Sequence, residues 1–189
     1  MPRKHRPTRL VGLVIAITAA LSTAGCGSKT QQAAVPSAVP PVPYVVKVTT
    51  VTGKLSHRAR ATVRTQAGRI IHAWWNAAYL TSGHTHTFGA FTPGAAKLAE
   101  RDADLMSDSD RGSATALDVK RSGADLDVLG VKGRPVGITA HLDLVYDKTT
   151  KVTSRCRVGG TVSLRPTGRS WRIFGYDVTR TCHPRKAGS

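Results

Sequence analysis

Between residues 56 and 80 apolar side chains recur at helical spacing. Val63, Ala67, Ile70, Ile71, Trp74 and Ala78 mark one stripe, and Trp75 and Tyr79 widen it. Ser56 suits the N-cap and Thr81-Ser82-Gly83 ends the pattern. Arg60 and Arg64 fall on the same stripe at its start. Either the first turns overhang the core into solvent, or Arg64 enters a cavity and meets an acid or an anionic ligand. A loop from Gly83 to Phe91 precedes a second helix, opened by Thr92 and Pro93 and fading near Ser107, with Ala95, Leu98, Ala99, Leu105 and Met106 inward. From Ala114 the texture changes to alternation. Strands are expected near 114–121, 125–131, 135–147, 152–164 and 171–181, separated by turn signals that include Arg121-Ser122-Gly123 and Asp147 to Lys151. In the third strand Ile138, Ala140, Leu142, Leu144 and Tyr146 share one face, and Thr139, His141, Asp143 and Val145 share the other. Tyr44 to Val51 alternates loosely and reads as an edge strand.

Helices first and strands afterwards predict one α+β domain over residues 44–182, followed by a basic tail at 183–189. The N-terminal helices would pack on a curved antiparallel sheet of about five to six strands. The run Trp74-Trp75-Asn76-Ala77-Ala78-Tyr79, the opening Phe91-Thr92-Pro93-Gly94 and the closing Trp171-Arg172-Ile173-Phe174-Gly175-Tyr176-Asp177-Val178 together resemble the nuclear transport factor 2-like fold. That superfamily includes SnoaL-type cyclases, ketosteroid isomerase and many binding-only domains of exported bacterial proteins. The resemblance implies a cone whose open end holds a small-molecule pocket, with Trp74, Trp75 and Tyr79 as its lining, and it fixes fold better than function.

Ahead of the domain lies a different kind of segment. Arg3, Lys4, Arg6 and Arg9 make a basic start, Leu10 to Leu21 is uncharged and apolar, and Ser22-Thr23-Ala24-Gly25 supplies small residues before Cys26. These are the three parts of a secretory signal. Its end resembles a bacterial lipoprotein signal, although Thr23 stands where that family usually has Leu. The resemblance implies removal of residues 1–25, acylation of Cys26 with palmitate-type chains, and a cell-membrane location facing the extracytoplasmic side. A plain cleaved signal, or an uncleaved span from Leu10 to Ser28, are the alternatives. Residues 26–43 carry Pro36, Pro40, Pro41 and Pro43 and read as a semi-stiff tether.

Charge sharpens this picture. The chain carries 28 Lys and Arg, 11 Asp and Glu, and a net charge of +17. Without the four cations of the signal, 24 cations against 11 acids leave +13, and the first acid in the chain is Glu100. Such a protein beside a membrane is drawn to anionic lipid or wall polymer. No aromatic platform is interleaved with the basic residues, so specific nucleic-acid binding is not expected. With Cys26 acylated, Cys156 and Cys182 remain. Their numbers sum to 338, which centres a hairpin on residue 169, inside the turn signal Arg165 to Ser170, so the two sulfurs would lie opposite each other as a disulfide. Two buried free thiols are the rival.

Catalytic chemistry has thin support. His141 and Asp143 could form an acid–base pair inside a cone, but the continuously apolar opposite face argues that they point to solvent. His84 and His86 are spaced as metal ligands on extended chain, yet no third ligand is indicated. Glu100, Asp102, Asp104, Asp108 and Asp110 read as a solvated helix end paired with local Arg rather than a calcium loop. No cofactor-binding motif is present. The expectation is a non-enzymatic, lipid-anchored envelope protein binding a protein partner or small ligand. The alternatives are a SnoaL- or isomerase-type enzyme and a structural subunit of an envelope assembly.

Overall fold

The structure, a computed structural model, describes residues 43–81 and 88–185. Cys26, the tether up to residue 42, the pair His84 and His86, and residues 186–189 of the tail lie outside those residues. All described elements belong to one unit that begins at Val39.

The helical stripe forms where the spacing places it. Helix α1 runs His57–Trp75, with the Ser56 hydroxyl accepting from the Ala59 N–H at 3.1 Å, and a π-helical turn Asn76–Leu80 continues it. Val63, Ala67, Ile71, Trp74, Trp75, Ala78 and Tyr79 are all buried, and so is Gly68. Arg60 and Arg64 are exposed, so the first turns do overhang the core. Helix α2 is Pro93–Arg101, opened by Pro93 at its first position. The Thr92 side chain makes no capping bond. A break at Asp102 separates α2 from the short α3, Ala103–Met106. The expected packing is corrected: Ala95, Ala99 and Met106 are buried, but Leu98 and Leu105 are exposed, Leu98 because it lies off the Ala95–Ala99 face within α2 and Leu105 because the helical phase is reset at Asp102. A 3-10 turn follows at Ser109–Ser113.

Five strands form a single mixed sheet in the order β1-β2-β3-β4-β5: β1 Val45–Thr52, β2 Ala116–Val131, β3 Arg134–Thr149, β4 Thr153–Thr167 and β5 Ser170–Pro184. The last four make an antiparallel meander, while β1 joins β2 in parallel through the intervening helices, so the sheet is not wholly antiparallel. The two strands expected at 114–121 and 125–131 are one. Ser122-Gly123 is no turn, because Gly123 pairs with Val45, and a Cβ there would meet the Val45 carbonyl oxygen at 2.9 Å. A glycine that admits a neighbouring backbone looks in sequence like a glycine that turns the chain. The true turn is Lys132-Gly133, with φ of 50° and 76° as a type I′ hairpin requires.

The core lies between α1, α2 and one face of the sheet, on which Ala124, Leu126, Ile138, Ala140, Leu142, Leu144, Val158, Val162 and Ile173 are buried. Bulges at Lys120 in β2 and Phe174 in β5 each insert one residue, so the inward positions switch there from odd to even numbers. Cys156 and Cys182 pair directly in the ladder and form a disulfide with Cα atoms 4.1 Å apart. The pair sum of 338 holds from Ser154 to Ser163 and falls to 337 beyond Phe174.

Candidate functional site

The aromatic residues expected to line a pocket are spent on packing. Trp74, Trp75 and Tyr79 are at most 1% exposed. Trp74 meets Phe91 and Tyr79 edge-on at ring distances of 5.5 and 5.9 Å, and its indole N–H donates to the Met106 carbonyl. Tyr79 donates to the Leu105 carbonyl at 2.6 Å, and burial pushes its phenol well above the usual range.

His141 and Asp143 stand on the opposite face of the sheet from this cluster, with side chains 52% and 44% exposed. They do not pair with each other. His141 Nε2 lies 2.8 Å from Asp127, and Asp143 accepts from Arg121 at 3.0 Å. The His141 contact, followed by the Thr50 and Thr49 hydroxyls, holds the Asp127 carboxyl below its ordinary range. A shallow groove of about 350 Å³ passes both candidates, lined also by Lys47 and Lys120. The pair therefore does not reach an enclosed cone, and a proton shuttle between them has no geometry on this face.

Beyond Tyr146, on the core side of the sheet, the structure holds a polar cluster that the alternation did not reveal. Asp108 is fully buried. Tyr146 donates to its Oδ2 at 2.9 Å, and Lys148 Nζ and an Arg180 terminal nitrogen each reach Oδ1 at 2.8 Å. Burial by itself raises a carboxyl. Here Lys148, Arg180 and Tyr146 outweigh it and hold Asp108 below its ordinary value. Arg180 also donates to the carbonyls of Asp104 and Ser107, while its buried Nε has no partner. Arg111 ties the same corner to the end of the π-helical turn through the carbonyls of Ala78 and Thr81. Asp108 was expected in a solvated acidic helix end. It is instead the anionic centre of a buried network, because its own N–H bonds the Ala78 carbonyl and turns the chain inward after α3. The signal in the sequence was Lys148, which continues the inward series Ile138 to Tyr146 and so demands an anion beneath the sheet.

A hollow of about 670 Å³ adjoins this cluster, lined by Lys148, Lys151, Arg180, Asp110, Ser154 and Cys182 among others. Three cations and one carboxylate, Asp110, line it, with hydroxyls completing the wall, while Asp108 lies buried behind Lys148 and Arg180. The arrangement suits a small anion held by ammonium, guanidinium and hydroxyl donors. Among the described residues no three His, Cys, Asp or Glu side chains gather to hold a metal, and no helix is long and apolar enough to cross a membrane. Comparison with known proteins returns no matching family model, no matching curated protein and no matching solved structure.

Proposed function

We propose that the protein is an exported, lipid-anchored envelope protein whose nuclear transport factor 2-like domain binds a small anionic ligand and catalyses nothing. The binding reading is carried by the hollow beside Asp108. Two of the cations in its wall, Lys148 and Arg180, are already fixed in place by the buried carboxylate, so they are preorganised for a ligand before it arrives. A helical layer on one face of a single sheet, ending in the Trp171 strand, supports the fold resemblance. The basic start, apolar run and small residues before Cys26 support the anchor. Two acyl chains are what stable anchoring takes.

Two measurements test the reading. Cys26→Ala should release the protein from membranes or stall its processing; unchanged retention and processing would remove the anchor. Inorganic phosphate and a tricarboxylate such as citrate should raise the melting temperature of the full chain, and Lys151→Glu should abolish the rise. A flat response to both probes, together with native mass spectra of the membrane-purified chain showing no retained small molecule, would remove the ligand.

A further inference from the structure

The segment from Pro43 to Ala99 contains Lys47, Lys54, Arg58, Arg60, Arg64, Arg69 and Lys97 and no acidic residue at all. The fold gathers most of these charges on one side. Arg64 and Arg69 line a groove of about 400 Å³ between α1 and the start of β1, beside Tyr44 and Gly68. Arg60 and Arg64 continue it into a second hollow against Val48. β1 is the edge of the sheet, so nothing else in the sheet covers this flank. The five cations Lys54, Arg58, Arg60, Arg64 and Arg69 are all exposed, and none makes an ion pair with a described residue, whereas Lys47 lies on the other face of the sheet in the groove that passes His141 and Asp143. None of the residues lining these two hollows is acidic; the acids nearest β1, Asp125 and Asp127, stand on the other face of the sheet, and Asp108, Asp118, Asp127, Asp143 and Asp147 are each engaged by a cation of β2 to β5. At the entrance of the flank the Tyr44 hydroxyl is buried without a partner, and its ring packs on His72 and edge-on against Trp75.

From this charge segregation we infer that the α1–β1 flank is the face that lies on an anionic phospholipid bilayer. Unpaired guanidinium groups along the exposed side of α1 suit phosphate oxygens, to which each can donate two parallel hydrogen bonds. Chain connectivity fits the same occupant. The 17 residues 27–43 enter the domain at Pro43, immediately before β1, and reach at most ~60 Å, so an anchor at Cys26 keeps this flank close to the headgroups. The inference rests on the anchored reading for that proximity, whereas the electrostatic attraction stands without it. Each cation held at an anionic surface tightens binding by roughly fivefold at moderate salt.

Flotation of the purified full chain on two kinds of vesicle separates these contributions. One kind is phosphatidylcholine alone, and the other is phosphatidylcholine doped with phosphatidylglycerol. The quadruple variant R58Q/R60Q/R64Q/R69Q should lose roughly 100-fold or more of the phosphatidylglycerol-dependent affinity at low salt. The control K132Q/R134Q/R157Q/R169Q removes the same charge from exposed positions of the meander and its turns, and should lose far less. Equal losses in the two variants would overturn the inference, since net charge alone would then explain binding. So would an undiminished quadruple variant, or stronger binding to soluble poly(glycerol phosphate) than to the doped vesicles. Circular dichroism of both variants shows whether each still folds, and the single change Arg64→Glu, with an expected loss of roughly tenfold or more, provides the same test with one substitution. Retention on phosphatidylcholine alone reports the anchor separately. Its failure with phosphatidylglycerol dependence intact removes the anchored reading and leaves this face standing.

Discussion

Asp108 has more depending on it than any other side chain of the described domain. A buried carboxylate next to two cations is tolerable only while every partner remains, because removing one member leaves the others desolvated and uncompensated. Asp108→Asn keeps the shape, strips the charge, and leaves Lys148 and Arg180 facing an amide. We expect it to cost about 3–5 kcal/mol in urea unfolding. The direction with pH follows from the lowered carboxyl. Asp108 contributes its full stability above the ordinary carboxylate value near 4, and loses it as pH falls through its depressed folded value. Asp147 behaves alike: Arg155 grips it with two bonds of 2.8 and 3.0 Å and Arg185 adds a third, so its carboxyl is lowered too. Stability should therefore drop steeply below about pH 4, and the drop should be shallower in Asp108→Asn. A parallel pH profile in the two proteins would contradict the assignment.

Among the elements, the β4–β5 hairpin carries the covalent constraint. The disulfide closes a loop across 26 residues, which corresponds to about 3–4 kcal/mol on the chain-entropy model. Paired Cys156→Ser and Cys182→Ser substitutions should lower the unfolding free energy measured in urea by that amount, and added reductant should bring the wild-type curve to the variant's. This hairpin and α1 were the parts most legible in the sequence, since each is defined by local rules: a helical stripe with a Ser cap, and a turn that fixes a constant pair sum. Three other features were not legible. The parallel pairing of β1 with β2 joins residues 78 positions apart, as in Val45 with Gly123, and no local pattern encodes it. β2 hid behind Ser122-Gly123 because close backbone approach and chain reversal call for the same residue. Leu105 reads as inward because periodicity does not register the reset at Asp102, and Leu98 because a leucine looks like a better core residue than the Ala95 and Ala99 that take the buried face of α2. At the site, His141 and Asp143 were correctly assigned to the polar face, whereas Asp108 was grouped with its solvated neighbours because burial of a charge depends on residues 40 and 72 positions away.

For the whole molecule, one sheet backs one helical layer, and its tryptophans report on both: Trp74 and Trp75 in α1, and Trp171 in β5, whose indole donates to Gln66 of α1. Helix and sheet should thus unfold together. Tryptophan fluorescence and far-ultraviolet circular dichroism should trace coincident denaturation curves under oxidising conditions, and separated midpoints would show that the helices leave the sheet first. The bulge at Phe174 carries a further consequence at this scale. Because a strand assigns faces by parity, β5 behaves like a reading frame, and the extra residue at Phe174 is a frameshift placed midway along it. Upstream, odd positions Trp171 and Ile173 reach the core. Downstream, even positions Tyr176, Val178 and Arg180 turn to that side. Deleting that one exposed residue would move no core contact directly, yet it would return the strand to a single frame. In that frame Trp171, Ile173, Val178 and Arg180 would all still share the inner face, whereas deleting one residue of the regular stretch, such as Thr179, would turn Arg180 away from Asp108.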